Sequence, residues 1–188
     1  MTLLRRELGS PPTLVAHLLR DQQVGWLAVR GESQPPPSGA LPIPEAWSDD
    51  LAFAALTHLP AWRVVEAARL ELGSRVRIGG QGFLRGLLED LVRRHGALPT
   101  DARLGADAVL LVGPAAGQVD EALRSCRDGG SVVLMIEARE PLSLDLYPDV
   151  HRRALRLTVL SPDEAPADWM RARSELAFLL AGNVTPGA

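Results

Sequence analysis

The stretch Ser74-Arg75-Val76-Arg77-Ile78-Gly79-Gly80-Gln81-Gly82-Phe83-Leu84-Arg85-Gly86-Leu87-Leu88 decides how the fold is interpreted. A short strand, a glycine-rich turn and the start of a helix follow one another in it, which is how a dinucleotide-binding unit begins. The first two glycines of the pattern G-x-G-x-x-G fall on Gly80 and Gly82. The third position holds Arg85, and Gly86 comes one residue late. The stretch therefore predicts the architecture of a nucleotide site, with its cofactor-binding residues at Gly80, Gly82, Arg85 and Gly86 if any is retained.

Strands alternate with helices from residue 75 onward, which predicts an α/β, Rossmann-like parallel sheet with flanking helices. Apolar runs predict buried strands at residues 108–112 and 131–136, and a further strand is expected at 155–160, where it would form an exposed edge of the sheet. Helices are expected at 82–95, 119–127 and 167–181. Only residues 97–107 separate the first helix from the next strand, too few for a strand, a helix and a return connection. About one strand-helix unit is therefore expected to be lost, and with it the ribose-binding carboxylate, for which Asp101 is the nearest substitute.

The segment before this region is expected to be an appendage and a linker. Residues 11–20 predict a short helix, because apolar side chains recur four residues apart after a proline. Residues 24–29 predict a strand, and the proline-rich residues 31–44 a linker. Residues 48–59 predict a capped helix, and Pro60 is expected to begin a second one. We accordingly predict an N-terminal appendage with linker over residues 1–40 and a Rossmann-like domain over 41–188.

The composition narrows the class of protein. With 188 residues and a net charge of −3, the chain is an ordinary globular one with no electrostatic reason to bind nucleic acid or an anionic membrane. No apolar run is long enough for a membrane span. The single cysteine, Cys126, excludes an intrachain disulfide and indicates a reducing compartment, so the cytoplasm is expected. The absence of lysine is typical of GC-rich bacterial coding.

Several stretches in colinear order resemble the cofactor domain of the medium-chain dehydrogenase/reductases, the alcohol and sorbitol dehydrogenase superfamily. The segments that carry the resemblance are LELGSRV and GQG (residues 70–76 and 80–82), ADAVL (106–110), ALRSCRDGGSVV (122–133), LYPDVHRR (146–153) and DWMRARSELAFLLAG (168–182). The first of them is similar to the family's "L-x-x-G-D-x-V-L-V-x-G-x-G" motif. Together the matches cover roughly residues 40–186. The resemblance implies a Rossmann fold and an NAD(P)-dependent oxidoreductase ancestry.

The departures from the family pattern suggest a truncated, degenerate member. The family's N-terminal catalytic domain, with its zinc ligands, needs more than the forty or so residues that precede the match. One cysteine and four scattered histidines lack the spacing of a tetrahedral metal site, so we expect no metal. Cys126 is expected to be a buried small apolar residue. No bound cofactor is expected, although NAD(P) remains the alternative.

Any pocket that survives should lie at the carboxyl ends of the strands, where open α/β sheets bind their ligands. Gly113, Glu137 and Arg139 follow buried strands at that edge and are the candidate cleft residues. The catalytic residues cannot be assigned from the sequence.

These observations favour a non-catalytic or repurposed binding or assembly module. The alternatives are an NAD(P)-dependent oxidoreductase, or another enzyme that uses the former nucleotide cleft. Relatives of the resembled family pair their last strand across a two-fold axis, so we predict a homodimer through the apolar strand from Leu155 to Leu160. A separate partner subunit that carries the missing domain is a further possibility.

Overall fold

The computed structural model describes residues 3–8, 14–29, 40–80, 82–114, 117–136, 147–162 and 164–181. Within them the chain forms, in order, β1 (Leu3–Leu8), β2 (Leu14–Leu19), β3 (Val24–Val29), β4 (Leu41–Pro42), α1 (Asp49–Ala68), β5 (Arg75–Gly80), α2 (Phe83–Arg94), β6 (Leu98–Pro99), β7 (Ala106–Val112), α3 (Gln118–Ser125), β8 (Cys126–Met135), β9 (Arg156–Leu160) and α4 (Trp169–Ala181). The structure divides into two compact units. One comprises Met1–Trp62 with Asp163–Ala188, and the other comprises Arg63–Pro162.

The unit formed by Arg63–Pro162 contains a parallel sheet with the order β6-β5-β7-β8-β9. The central strands β7 and β8 are apolar and buried over most of their length, as expected for strands covered on both faces. On one face α3 packs against β7 and β8 through Val119, Ala122 and Leu123. The α/β Rossmann-like fold predicted from the sequence is therefore confirmed.

The shortened connection retains a trace of the missing strand. Leu98 and Pro99 form the two-residue strand β6, which pairs in parallel with Arg75 and Val76 of β5. The described residues between β6 and β7 contain no helix. A dozen residues thus suffice for a strand of two residues at the sheet edge, but not for the helix that would normally carry the chain back over the sheet.

The other unit contains an antiparallel sheet with the order β1-β2-β3-β4. The prediction of a helix over residues 11–20 is wrong, because residues 14–19 form the strand β2. This strand lies between β1 and β3, and all six of its side chains are buried. A strand buried on both faces has no polar-apolar alternation, so its apolar run could not be distinguished from a helical stripe by periodicity. The strand predicted over residues 24–29 is present as β3.

The prediction that Pro60 begins a second helix is also wrong, since Pro60 lies inside the single helix α1, which is 20 residues long. A proline inside a helix costs about 3 kcal/mol, because it removes one backbone hydrogen bond and crowds the preceding turn. Buried apolar side chains flank Pro60 on both sides, including Leu56, Leu59 and Trp62. Each fully buried side chain of this size stabilises by about 1.5–3 kcal/mol, which offsets the break.

Two indole hydrogen bonds connect α4 to α1 and to β4 within the same unit. The Trp62 Nε1–H donates to Glu175 Oε2 at 2.9 Å, and the Trp169 Nε1–H donates to the Pro42 carbonyl at 3.0 Å. None of the described helices is both long and apolar enough to cross a membrane. The proline-rich residues 31–39 lie outside the described residues.

The buried histidine of β2 makes the stability of this unit depend on pH. His17 stacks on its cross-strand partner Trp26, with ring centroids 5.0 Å apart, and neither ring nitrogen has a hydrogen-bond partner among the residues that the structure describes. Burial, and then the charge of Arg5 on β1, lower the pKa of His17 from its ordinary value of 6.5. Because its pKa is lower in the folded state, the unfolded chain binds the proton first as the pH falls, and stability is lost below about pH 6.5.

We therefore expect the free energy of unfolding, measured by urea titration, to fall between pH 7 and pH 5. His17→Phe, which keeps a ring against Trp26, should reduce this fall. His95→Gln is the matched control, because His95 is exposed, and it should leave the fall unchanged. Equal pH dependence in the native chain and in His17→Phe would remove the assigned role of His17.

Candidate functional site

The crevice where an open α/β sheet binds its ligand lies at the carboxyl ends of β5 and β7. The chain leaves β5 toward β6 on one side, while β7 lies on the other, so this pair of strands is the topological switch point. The glycine turn at Gly80 and Gly82 and the residue Gly113 all follow the carboxyl ends of these two strands. The structure thus brings these three predicted positions to one edge of the sheet.

Gly80 is required by the contact between β5 and β7. Its backbone has a φ of +100°, and a side chain there would place its Cβ 1.9 Å from the Val112 carbonyl oxygen of the neighbouring strand. No side chain fits at that distance from a fixed backbone atom. The first glycine of the pattern therefore retains the function of allowing a tight turn at the end of the first strand.

The second glycine leads into a helix whose first turn is open. Gly82 is the N-cap of α2, with φ 86° and ψ −170°, and as a glycine it has no side chain to cap the helix. The first turn of α2 contains no acidic residue. Free backbone N–H groups at a helix N-terminus favour an anion, so this end of α2 keeps the chemistry that holds a pyrophosphate in dinucleotide-binding proteins.

Arg85, at the third position of the pattern, does not disturb the packing of α2. A large side chain in place of the third glycine would ordinarily hold the helix away from the sheet. Instead Arg85 is exposed, and its Nε–H donates to Glu89 Oε1 at 3.2 Å, one turn toward the helix C-terminus. The buried side of α2 is formed by Leu84, Leu88, Leu91 and Val92. Gly86 is exposed, and a Cβ there would meet nothing within 4 Å.

The strand that would carry the ribose-binding carboxylate, β6, does not reach the level of the glycine turn. The strand β6 pairs only with Arg75 and Val76, at the amino end of β5. A strand rises about 3.3 Å per residue, so β6 ends roughly 13 Å below Gly80. Asp101 follows β6 at this low level and is exposed. The residues present therefore fit the phosphate part of a dinucleotide but do not complete a site for its ribose.

Of the predicted cleft residues, only Gly113 is described. The backbone of Gly113 has a φ of +55°. Its backbone N–H donates to the Met135 carbonyl of β8 at 3.0 Å. This hydrogen bond extends the pairing of β7 with β8 to the edge of the crevice. Glu137 and Arg139 lie outside the described residues, so their place in the cleft stays a prediction.

Cys126 is a buried apolar residue in the structure. It is 1% exposed and packs in the core beneath α3, and its thiol approaches the Ser131 carbonyl at 3.6 Å. Burial raises the pKa of this thiol from 9.0 to about 11, so little thiolate forms at neutral pH. Among the described residues, no cluster of three or more His, Cys, Asp or Glu side chains could hold a metal ion.

The structure also contains a cavity of about 320 Å³ that the sequence did not predict, at the opposite, amino end of the sheet. Arg69, Arg127 and Arg156 line it, together with Ser131. Two local features of the sequence could have indicated this cavity. One is an arginine directly after a helix, where glycine is usual, and the other is the Asp-Gly-Gly segment between α3 and the buried part of β8.

Two glycines of the pattern region provide a matched test of the glycine turn. Gly80→Ala should lower the free energy of unfolding by about 2–4 kcal/mol, because it combines a positive φ with a backbone clash. Gly86→Ala should raise it by about 0.5–1 kcal/mol, because alanine is the better residue in an open helical position. Urea unfolding of both variants measures the difference. Similar values for the two would contradict the contact assigned to Gly80.

Comparison with protein-family models and with curated protein sequences gives no match. Solved structures share the fold. The chain is similar over 77% of its length to acetophenone reductase from Geotrichum candidum in complex with NAD, with a TM-score of 0.61, 16% identity and 49% of that chain covered. It is similar over 90% of its length to a short chain alcohol dehydrogenase from E. coli in complex with NADH, with a TM-score of 0.60, 13% identity and 66% of that chain covered.

A third neighbour is 2R,3R-butanediol dehydrogenase from Bacillus subtilis, with a TM-score of 0.60 and 12% identity over 91% of this chain and 63% of that one. The chain thus spans between about half and two thirds of the length of these proteins. At these identities the similarity is one of fold. It confirms that the chain has the Rossmann-like fold found in these dehydrogenases, as the colinear motifs predicted.

Proposed function

We propose that this chain is a dehydrogenase-like protein with a degenerate nucleotide site, without zinc-dependent alcohol dehydrogenase activity, that acts as a binding or assembly module. The single cysteine and the arginine-only cations support a bacterial, cytoplasmic origin. Its structural neighbours include proteins in complex with NAD and NADH, so NAD(P) is a possible ligand of the fold.

The length of β6 is the observation that carries this proposal. In dinucleotide-binding proteins the second strand runs beside the first up to the glycine turn and ends in the acidic residue that binds the ribose. Here β6 accompanies β5 for two residues only. A carboxylate at the end of so short a strand is about 13 Å from the level it would have to reach. Within the part of the chain that the structure describes, β6 therefore brings no carboxylate to the ribose.

The burial of Cys126 and the lack of a metal-ligand cluster among the described residues support the proposed loss of zinc-dependent activity. Cys126 is buried with a raised pKa, and the described residues offer no cluster of metal ligands. Zinc requires three or four converging nitrogen, sulfur or oxygen ligands within about 2.0–2.3 Å. Catalysis of a zinc-dependent type would have to draw its ligands from outside the described residues.

The geometry of the glycine turn favours the alternative that the cleft still binds NAD(P). Gly80 and Gly82 keep positive φ values, and α2 begins without a side-chain cap. An NAD(P)-dependent oxidoreductase, or another enzyme that uses this cleft for a phosphorylated ligand, would rely on this part of the site. The two functions differ in whether a nicotinamide cofactor binds at all.

Calorimetric titration with NADH and NADPH distinguishes them. We expect no saturable heat at millimolar cofactor and no rise in melting temperature, because the ribose contacts are missing. Arg85→Gly, which restores the third glycine, should not create binding, because position 85 faces solvent. Saturable binding that Gly82→Val abolishes would overturn the proposal in favour of the oxidoreductase. Binding that Gly82→Val leaves intact would assign the cofactor to a different site and would also contradict the degenerate cleft.

We further propose that the chain forms a homodimer through the strand predicted from Leu155 to Leu160, which is β9 in the structure. Among the described strands it is the edge of the parallel sheet, so one row of its backbone N–H and C=O groups has no strand partner in that part of the chain. Leu157, Thr158 and Leu160 are half-buried, and Val159 is 51% exposed. An apolar edge of this kind is suited to pairing with a second copy across a two-fold axis. A separate partner subunit is the other occupant that this edge would accept.

Light scattering at micromolar concentration tests the dimer. We expect twice the mass of one chain, and we expect Val159→Lys to give a monomer, because a lysine at a strand edge opposes pairing. Leu104→Lys is the matched control, because Leu104 is exposed and lies away from β9. A monomeric native chain, or a dimer that Val159→Lys does not weaken, would contradict this interface.

A further inference from the structure

The cavity at the amino end of the parallel sheet, here called the amino-edge cavity, has features that neither the fold nor the proposed function requires. It has a volume of about 320 Å³ and is bounded by the end of α1, the turn before β5 and the first residues of β7, β8 and β9. It lies at the other end of β5 from the glycine turn. Any ligand here is therefore independent of the nucleotide crevice.

An irregularity in β8 forms one wall of the amino-edge cavity. Ala106 pairs with Cys126, but Ala108 pairs with Ser131, so residues 127–130 bulge out of the ladder. The bulge is possible because a Cβ on Gly130 would lie 2.5 Å from the Cys126 thiol and 2.8 Å from the Asp107 carbonyl oxygen. Bulges next to binding sites redirect side chains out of the sheet. Here the bulge brings Arg127 to the cavity wall.

The arginines of the cavity differ in whether they already have a carboxylate partner. Arg127 donates from Nε to Asp107 Oδ1 at 2.6 Å, and the backbone N–H of Arg75 donates to Asp107 Oδ2 at 2.7 Å. These hydrogen bonds hold the pKa of Asp107 below its ordinary value, so this carboxylate stays ionised and paired. Arg69 and Arg156 have no carboxylate within salt-bridge distance among the described residues. Two guanidinium groups are thus available to a ligand.

The capping of helices does not explain these two arginines. Helix C-termini attract cations, and Arg153 shows how this is satisfied here, because its Nη1–H donates to the Leu123 carbonyl at the end of α3 at 2.6 Å. Neither Arg69 nor Arg156 makes such a hydrogen bond in the described part of the chain. Arg69 moreover has a φ of +51°, in the left-handed region that glycine normally occupies after a helix. An arginine is thus held at a position where its backbone is strained.

A buried hydroxyl lies in the same wall. Ser131 is 5% exposed and lines the amino-edge cavity, and its Oγ has no hydrogen-bond partner among the described residues. A buried hydroxyl normally has a partner, since burial without one costs free energy. A ligand oxygen in the cavity would supply that partner. This feature is independent of the arginines and also indicates a polar occupant.

We propose that the amino-edge cavity binds a small phosphate-bearing molecule, held by the guanidinium groups of Arg69 and Arg156 and by the Ser131 hydroxyl. Two guanidinium groups match the charge of a phosphate dianion, and their forked donors match its oxygens. Arg127, oriented by Asp107, adds positive charge beside them. Glu71 is a second acidic residue of the cavity wall besides Asp107, and its charge also acts on Arg127, so it opposes the binding of an anion.

Thermal unfolding with inorganic phosphate as the probe, in buffers of constant ionic strength, tests the site. Phosphate also stabilises proteins in general by exclusion from their surface, so the informative quantity is the difference between variants. We expect the native chain to show a saturable rise in melting temperature that Arg156→Gln loses. Arg152→Gln is the matched control, because it removes one charge from an exposed arginine outside the cavity, and it should keep the rise.

Further variants separate binding from folding. Arg69→Gly should melt no lower than the native chain without phosphate, since glycine relieves the positive φ, yet it should lose the phosphate-dependent rise. Ser131→Ala should behave in the same way, because it removes a hydroxyl that lacks a partner. Glu71→Gln should change the response in the opposite direction and lower the phosphate concentration at half saturation severalfold.

Calorimetry with inorganic phosphate and with succinate identifies the ligand chemistry. Saturable phosphate binding that requires Arg69 and Arg156 supports the proposal. Equal responses of all variants, or no saturable response of the native chain, would overturn it, because the arginines would then be surface charges only. Binding of succinate without binding of phosphate would overturn the phosphate assignment.

Discussion

The close approach of Gly80 to the Val112 carbonyl allows β5 and β7 to stay paired up to their carboxyl ends. A Cβ at position 80 would lie 1.9 Å from this carbonyl oxygen, so only glycine fits the last of the five residue pairs between the two strands. Gly82 and the start of α2 follow directly after this pair in the chain. The crevice at the switch point therefore begins at a strand end where the neighbouring backbone leaves no room for a side chain.

The two ends of the parallel sheet have different chemistry. The carboxyl end keeps the glycine turn and the uncapped helix of a phosphate-binding crevice, but β6 is too short to bring a carboxylate to it. The amino end carries a bulge, a strained arginine and a buried hydroxyl around a cavity of about 320 Å³. In most open α/β sheets the carboxyl end binds ligands and the amino end is structural. Here the arginines and the buried hydroxyl from which we propose a ligand site lie at the amino end.

Sequence reasoning succeeded where a local pattern is tied to one structure. Continuous apolar runs gave the buried strands β7 and β8, and the glycine pattern gave the strand, turn and helix of the switch point. It failed where tertiary packing decides between two local possibilities. The apolar residues of β2 fit a helix or a doubly buried strand equally well. Pro60 does not end α1, because buried apolar side chains on both sides of it stabilise the helix.

The amino-acid sequence by itself determined the α/β class, the shortened connection after α2 and the position of the glycine turn, because each depends on residue type and spacing along the chain. Only the tertiary structure decided that Arg85 faces Glu89 and solvent, and that a short β6 persists. The amino-edge cavity likewise required the fold, since its arginines and Ser131 come from the turn after α1, from β8 and from β9. The physical reason is that side-chain surroundings are set by contacts between distant segments, and no local pattern encodes those.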